Sequence, residues 1–340
     1  LPPPATCLPG QVARIGPRAY ATAQQAVDAA TDGDVITLCR GTIVGGLRLD
    51  TDANLTILGE TGDPADVIID ATTTGWGIYH GIGFYGRVSL AGFTVLNAHG
   101  RMGAVHIARE QIVLRAINIR AAAGYYAFNF EGHSVYMEQV SVDKVDVGTV
   151  IATFLHRFYE PSRSRTPRLH AAAFSVNDSD IHDGAANVRW SRHDGRQLPT
   201  FTFESSSWTD VRAGGSLLAD TNDAIAGLEL RDTLIRDCSA NALAEGSPSA
   251  TASVWDTAIL DNDFASAGFG FGFAGIQIAD SVFHRNQVGT NGLLGGPRYR
   301  LRNVDFGAGP DDNHPREIPY PCPPLDYVAF HQTTTGECPP

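Results

Sequence analysis

The sequence predicts an all-β fold, a single-stranded right-handed parallel β-helix of about ten coils. Three observations predict it. One pattern recurs about every 24 residues, as in "LELRDTLIRDC" from Leu228 and "ASVWDTAILDN" from Ala252. Within each copy, apolar and polar residues alternate, which is typical of a strand with one buried face. No helical period appears in the copies, which excludes the leucine-rich and ankyrin types of repeat protein.

The repeat extends over most of the chain. Successive copies begin 24, 23, 39, 27, 27, 24, 24 and 23 residues apart, and a weaker copy begins near Leu55. A unit of this length cannot bury its own apolar face, so the copies are expected to stack with a rise of about 4.8 Å per coil. The matching segments begin at Val88, Ile112, Val135, Phe174, Phe201, Leu228, Ala252, Ile276 and Tyr299.

Each copy contains two short strands and a turn. Positions one and three are apolar and are expected to face the core. Position five favours a turn because it is often Asp or Asn, as at Asp178, Asp232, Asp256, Asp280 and Asn303. In the second strand, the residues expected to face the core are Ile119, Ile181, Trp208, Ile235, Ile259 and Phe283.

The N-terminal segment, residues 1–33, is expected to close one end of the stack. Thr22 and Gln25 have the spacing of a capping box, and Ala26, Val27 and Ala30 form the apolar side of a short helix near residues 22–31. A cap is expected there because the end of a solenoid exposes unpaired strand edges. The β-helix then covers residues 34–306, with a loop insertion at about 155–170, and a Pro-rich tail occupies residues 307–340.

The segment "TAQQAVDAATDGDVITLCRGTI", followed by "LTILGE" and the repeats, resembles the pectate-lyase-like right-handed parallel β-helix superfamily over roughly residues 20–306. The resemblance implies the fold but not the function, because this fold carries lyases, glycosidases, esterases, adhesins and phage fibres. The catalytic signatures of polygalacturonases and pectin methylesterases are absent from the sequence. The calcium motif of pectate lyases has only a partial counterpart, "VYMEQV", in which Glu138 and Gln139 stand at the Asp and His positions.

Composition narrows the class of partner. The chain has 340 residues and a net charge of −12, which argues against nucleic-acid binding. No apolar run reaches 18 residues, so no membrane-spanning helix is expected. The opening "LPPPATC" resembles a processed N-terminus, which favours a secreted or cell-surface protein.

Cysteine usage agrees with an oxidising compartment. Cys7 and Cys39 lie in the N-terminal region, and Cys322 and Cys338 lie in the tail. We expect the disulfides Cys7–Cys39 and Cys322–Cys338 to fasten the two chain ends. Cys238 lies inside the repeat and is expected to be a small buried residue with a free thiol.

The fourth position of the repeat predicts an exposed column that includes Arg115, Glu138, Glu204, Arg231 and Trp255. One interpretation is a surface ladder of ion pairs, which contributes little to stability. The other is a catalytic cleft, with Glu138 and Glu204 as acid and base about 9.6 Å apart, near the upper end of the roughly 6.5–9.5 Å spacing of inverting glycosidases. Arg115 or Arg231 would then hold a sugar carboxylate, and Trp255 would stack on a sugar ring.

A second column of carboxylates is predicted at Asp183, Asp210, Asp237 and Asp261. Such a column either chelates calcium or accepts hydrogen bonds from turn amides. The second interpretation requires no metal or other cofactor, and calcium remains the alternative.

Two basic loops interrupt an otherwise acidic chain. The insertion carries Arg157, Arg163, Arg165 and Arg168, and Arg192 lies in the later segment "RWSRHDGR". Such a patch either binds an anion, of which an acidic polysaccharide is the expected kind outside a cell, or is a solvated loop without function.

These observations favour an extracellular structural, fibre-forming or carbohydrate-binding and adhesive protein that is not an enzyme. Its expected partners are an acidic polysaccharide or neighbouring copies of itself. The alternative is a polysaccharide lyase or glycoside hydrolase that uses the Glu/Arg column beneath the basic loops.

Overall fold

A computed structural model of the chain describes residues 6–80, 86–131, 134–155, 168–172, 174–190, 200–218, 227–244, 250–269, 273–289, 299–307, 313 and 333–337. The chain divides into two compact units, Leu1–Tyr159 (unit 1) and Glu160–Pro340 (unit 2). The fold is nearly all β, with 4% helix, and is a β-solenoid of about 8 turns. No helix in the described part of the chain is long and apolar enough to span a membrane.

Unit 1 contains one α-helix, one 3-10 helix and fourteen strands in the described ranges. The α-helix, α1, spans Ala23–Asp28, and the 3-10 helix spans Ala71–Thr73. The strands are β1 Ala13–Ile15, β2 Arg18–Tyr20, β3 Val35–Leu38, β4 Gly41–Val44, β5 Leu47–Arg48, β6 Leu55–Gly59, β7 Val67–Asp70, β8 Ile78–His80, β9 Arg87–Leu96, β10 Val105–Ala108, β11 Gln111–Arg120, β12 Ala123–Glu131, β13 Ser134–Asp143 and β14 Asp146–Leu155.

The strands of unit 1 form three parallel columns. The first column holds β3, β6 and the first halves of β9, β11 and β13. The second holds β4, β7 and the second halves of the same three long strands. The third holds β5, β8, β10, β12 and β14. Val88, Ile112 and Val135 are Cα partners on neighbouring strands, so the predicted register of these copies is confirmed.

Unit 2 contains the remaining strands of the described ranges. They are β15 Arg168–Ala172, β16 Ser175–Trp190, β17 Thr200–Glu204, β18 Ser207–Ala213, β19 Gly227–Arg231, β20 Leu234–Arg236, β21 Ser239–Ala244, β22 Ala250–Trp255, β23 Ala258–Leu260, β24 Asp263–Phe269, β25 Phe273–Ala279, β26 Val282–His284, β27 Gln287–Val288, β28 Tyr299–Asp305 and β29 Thr333–Glu337.

Unit 2 has the same three-column plan. Its first column runs β15, β17, β19, β22, β25 and β28. Its second runs β16, β18, β20, β23 and β26, and its third includes β21, β24 and β27. The predicted copies from Phe201 onward are in register, since Phe201, Leu228, Ala252, Ile276 and Tyr299 are successive Cα partners.

The copy predicted to begin at Phe174 in fact begins one strand earlier in the chain. Leu169, in β15, is the Cα partner of Phe201, so β15 is the first-column strand of this coil. Val176 is the partner of Trp208 and therefore lies in the second column. The two strands of a coil share one alternating pattern, and the pattern alone does not distinguish them. Residues 168–170, expected in the insertion, consequently belong to a strand.

The coil count is slightly lower than the expected ten. That expectation counted every segment with the first-column pattern, whereas a complete turn also requires strands in the other two columns. No third-column strand follows β28 in the residues that the structure describes.

Residues in the left-handed backbone region mark the turn between the first and second columns. In unit 2 these are Ser205, Asp232, Asp256, Asp280 and Asn303, with φ values from 46° to 52°. Asp and Asn tolerate this conformation better than other residues with a Cβ, which confirms the predicted turn at Asp232, Asp256, Asp280 and Asn303. Asp178, also predicted there, lies instead between the partners of Thr209 and Val211, at the second corner. Further left-handed residues end the second column at Asn97, Ala121 and Lys144 in unit 1 and at Asp210, Asp237, Asp261 and Arg285 in unit 2.

The inner faces of the columns form the apolar core. Trp208, Ile235, Ile259 and Phe283 are level with one another and at most 1% exposed, as predicted from the second strand of the repeat. Each coil thus buries an apolar side chain at the same level as its neighbours. Burial of such a side chain contributes about 1.5–3 kcal/mol.

A ladder of buried asparagines crosses the last coils of unit 2. Nδ2 of Asn262 donates to Oδ1 of Asn286 at 2.8 Å, and Nδ2 of Asn286 donates to Oδ1 of Asn313 at the same distance. The ladder begins at Cys238, whose backbone N–H donates to Oδ1 of Asn262 at 2.9 Å. The thiol of Cys238 is free and buried, as expected.

Both terminal strands of the first columns are covered. In unit 1, β1 pairs antiparallel with β3, and α1 follows, with the Thr22–Gln25 capping box as predicted. Gln24 of α1 exchanges two hydrogen bonds of 2.9 Å with the backbone of Arg48 in the third column. In unit 2, β29 pairs antiparallel with β28. The disulfide Cys7–Cys39 is confirmed, whereas Cys322 and Cys338 lie outside the described residues.

Candidate functional site

The predicted outward column is real in each unit. In unit 1, Arg115 and Glu138 are Cα partners on β11 and β13, and Nε of Arg115 lies 2.8 Å from Oε2 of Glu138. The guanidinium also lies 5.9 Å from the ring centroid of Tyr136. The two charged side chains are 41% and 37% exposed, so solvent screens the pair and its contribution to stability is small.

In unit 2, the same column presents Glu204, Arg231 and Trp255 on successive strands. Arg231 does not pair with Glu204. Its Nε donates to Oε1 of Glu229, two residues back on the same strand, at 3.0 Å. Its guanidinium stacks on Trp255, 4.9 Å from the ring centroid. Glu204 instead faces His170, with Oε2 at 3.6 Å from Nε2.

These contacts define an exposed face in unit 2, which we call the Arg–Trp face: His170, Glu204, Glu229, Arg231 and Trp255. Glu138 belongs to unit 1 and Glu204 to unit 2. The catalytic spacing expected between their two carboxyl groups therefore stays a prediction.

The aspartate column lies at the second corner of the coils of unit 2. Asp210, Asp237 and Asp261 all occupy left-handed turn positions. Asp183 is not level with them, because Ser179 pairs with Val211 and the chain has moved past the corner by residue 183. The described residues contain no group of three or more His, Cys, Asp or Glu side chains arranged to hold a metal ion.

Asp261 has a specific partner of its own. Arg285, one coil further on, donates from Nε to Oδ1 at 2.6 Å and from Nη2 to Oδ2 at 2.9 Å. These hydrogen bonds lower the pKa of the Asp261 carboxyl group by favouring its charged form. A paired carboxylate of this kind stabilises the turn.

The basic loops fall mostly outside the described residues. This holds for Arg157, Arg163, Arg165 and Arg192. Arg168 opens strand β15, where its Cα partner is Thr200.

Unit 1 also contains a cluster of buried polar side chains that the sequence did not predict. His80 ends β8 and is 0% exposed, and Arg109, which follows β10, is also 0% exposed. Nε2 of His80 lies 3.3 Å from the carbonyl oxygen of Thr51, which also accepts a hydrogen bond from Nη2 of Arg109. Nη1 of Arg109 lies 3.7 Å from Oδ1 of Asp52.

Burial changes the ionisation of the histidines near this group. The pKa of His80 is lowered to about 4, first because burial removes water from the charged ring and then because of the Arg109 charge. The pKa of His106 on β10 is also lowered to about 4, by burial and then by His80. Both imidazoles are therefore neutral at pH 7.

The sequence holds no clear signal for this group. A histidine that alternates with apolar residues along a strand is expected to face outward and to be exposed. His106 is instead only 2% exposed, because of tertiary packing at the third column. Perturbed titratable groups are candidates for function, and this group joins the Arg–Trp face as a second candidate region.

Comparison with known proteins assigns no function to either region. No protein-family model matches the chain, and no curated protein is significantly similar to it.

Proposed function

We propose that this chain is an extracellular β-solenoid that binds an acidic polysaccharide through the Arg–Trp face of unit 2. The observation that carries the proposal is the stacking of Arg231 on Trp255 at 4.9 Å on an exposed strand face. An aromatic ring packs against the apolar side of a sugar, and a guanidinium fork matches a carboxylate in two hydrogen bonds.

Arg231 can exchange its contact with Glu229 for a contact with the carboxylate of a bound sugar. Arg231 is 51% exposed at its side chain, and the pair it forms with Glu229 is therefore screened by water. A uronate carboxylate would compete with Glu229, whose side chain is 24% exposed and also accepts a hydrogen bond from Thr202. The stacking on Trp255 meanwhile keeps the guanidinium at the surface of the strand.

Two further features support the proposal. The Cys7–Cys39 disulfide suits an oxidising compartment. The antiparallel strands β1 and β29 cover the outer edges of β3 and β28. Fibres commonly grow by adding strands to such edges, so we favour carbohydrate binding over the fibre-forming alternative. Membership of the pectate-lyase-like superfamily is part of the same proposal, supported by the stacked columns and the helical cap.

The test is binding of polygalacturonate, a polymer of acidic sugars, by isothermal titration calorimetry. We expect Trp255→Ala and Arg231→Ala each to weaken binding at least tenfold, which corresponds to about 1.4 kcal/mol. Arg285→Ala is the matched control, because it removes another ion-paired Arg of unit 2 that lies outside the Arg–Trp face. Raising NaCl from about 0.05 to about 0.5 M should weaken wild-type binding. Equal affinities for the wild type and both variants would contradict the proposal.

An enzymatic role on the same polymer is the second candidate, favoured by the contact between His170 and Glu204. An imidazole beside a carboxylate is an arrangement that serves proton transfer. In that case the wild type would shorten polygalacturonate chains and Glu204→Gln would not. A polymer of unchanged length after prolonged incubation would leave binding as the function.

A further inference from the structure

Unit 1 contains a short motif that has no role in the proposed binding of polysaccharide. Asn54, Leu55 and Thr56 form the pattern Asn-x-Ser/Thr, which is the acceptor sequence for N-linked glycans in secreted proteins. The pattern occurs twice in the chain, the second time at residues 177–179. So short a pattern also arises by chance, and the structural surroundings decide whether it can carry a glycan.

Asn54 lies at an exposed turn, where a bulky group has room. It stands between strands β5 and β6 and is exposed to solvent. Leu55, the first residue of β6, is only 2% exposed, so the chain enters the packed sheet directly after Asn54. N-linked glycans are large and hydrophilic and are accommodated at the surface of a protein. Asn54 meets this requirement.

The side-chain amide of Asn54 is held by the chain segments on either side of it. Its Oδ1 accepts a hydrogen bond of 2.7 Å from the backbone N–H of Arg87, and its Nδ2 donates one of 2.8 Å to Oδ1 of Asp32. Gly86 permits this arrangement, because a Cβ there would lie 2.7 Å from Oδ1 of Asn54. The amide nitrogen carries two hydrogens, and Asp32 accepts one of them. Among the described residues no acceptor faces the second, so Nδ2 can bond to a sugar while Asn54 keeps both contacts.

The second motif lies within the packed sheet. Asn177 is half-buried in strand β16, and its Cα partner on β18 is Thr209. Ser179 is only 3% exposed, and its hydroxyl donates to the carbonyl oxygen of Asn177 at 2.7 Å. Of the two motifs, the one at Asn54 therefore has the surroundings that a glycan needs.

We propose that Asn54 is the acceptor of an N-linked glycan. The proposal rests on the extracellular part of the proposed function, because the transferase acts on chains that are exported from the cytoplasm. In the reaction, Nδ2 of Asn54 bonds to C1 of the first sugar, and the bond from that carbon to the pyrophosphate of a lipid-linked oligosaccharide breaks. The lipid pyrophosphate leaves, and the amide nitrogen releases one proton. The remaining amide hydrogen stays available to Asp32.

The experiment secretes the full chain from cultured mammalian cells and compares its mass before and after an amidase that removes N-linked glycans. We expect the wild type to lose a glycan and Asn54 to be converted to Asp. Thr56→Val removes the hydroxyl of the motif, keeps a β-branched side chain suited to a strand, and should abolish the modification. Thr42→Val is the matched control, because it makes the same change at an exposed position of β4 that follows no Asn, and it should leave the glycan in place.

A third variant and the Asn177 peptide make the result unambiguous. Thr56→Ser returns a hydroxyl to the motif and should carry the glycan again, which separates loss of the motif from misfolding. The proposal is overturned if the wild type carries no glycan at Asn54, if Thr56→Val still carries one, or if Asn177 carries the glycan instead. The polygalacturonate titration is repeated on the same secreted protein. A glycan at Asn54 without polygalacturonate binding would contradict the binding function and support the modification, and binding without a glycan would do the reverse.

Discussion

Acidification to pH 5 is expected to destabilise unit 1 through His80 and His106. Each has a pKa of about 4 in the folded protein, against 6.5 for a histidine in water. Below pH 6.5 the unfolded chain takes up protons that the folded chain does not, so the free energy of unfolding falls as the pH drops toward 4.

The size of the effect follows from these two values. At pH 5 an unfolded histidine is almost fully protonated and the folded one is about one-tenth protonated, which costs about 2 kcal/mol of stability for each residue. Both together approach about 4 kcal/mol, a large part of the 5–15 kcal/mol typical of a domain. The carboxyl groups of Asp70, Asp261 and Asp280 do not contribute in this window, because their pKa values are already below 3.8.

The assay is urea unfolding of the wild type and of His80→Gln at about pH 7.5 and about pH 5. The variant keeps a polar side chain near the Thr51 carbonyl but carries no titrating ring, so it should lose about half as much stability on acidification. An equal loss in both proteins would refute the argument that buried His80 is kept neutral by the fold.

Three other predictions concern stability and reactivity. Replacing Cys7 and Cys39 by Ser should cost about 3–4 kcal/mol, because the disulfide closes a loop of 32 residues, and the melting temperature measures the loss. Cys238, whose thiol pKa burial raises to about 12, should resist thiol reagents in the native protein and react once urea unfolds it; rapid native labelling would contradict its burial. Asn286→Ala should cost about 3 kcal/mol or more, since it removes the central rung of the asparagine ladder and leaves buried partners unpaired, and a melt unchanged from wild type would show the ladder to be dispensable.

The repeat predicted the fold well because strand alternation and stacking are local properties with a fixed period. The register of Leu228, Ala252 and Ile276 needed only the 24-residue step and the rule that apolar positions face inward. Phe174 was misplaced because first- and second-column strands alternate alike, and the extra residues before it removed the period as a guide.

The candidate sites were harder to predict from the sequence than the fold was. The outward position of Arg231 followed from the repeat, but its choice of Glu229 over Glu204 depends on side-chain conformations within one strand. His106 and Asn129 are 2% and 4% exposed, and His106 stacks on Tyr79 of the neighbouring strand, which no local pattern encodes.

The stepwise register of the later coils has a consequence for how this gene can change. Ala252 and Ile276 occupy equivalent positions 24 residues apart, and the ladder residues Asn262 and Asn286 share that spacing. Excision of residues 252–275 would bring Asn286 beneath Cys238 in place of Asn262 and would rejoin strands at matching positions. Duplication of the same segment would add one rung. We therefore expect in-frame deletion or duplication of a whole turn to yield a folded protein. The number of turns in the solenoid can then change by such mutations without loss of the fold.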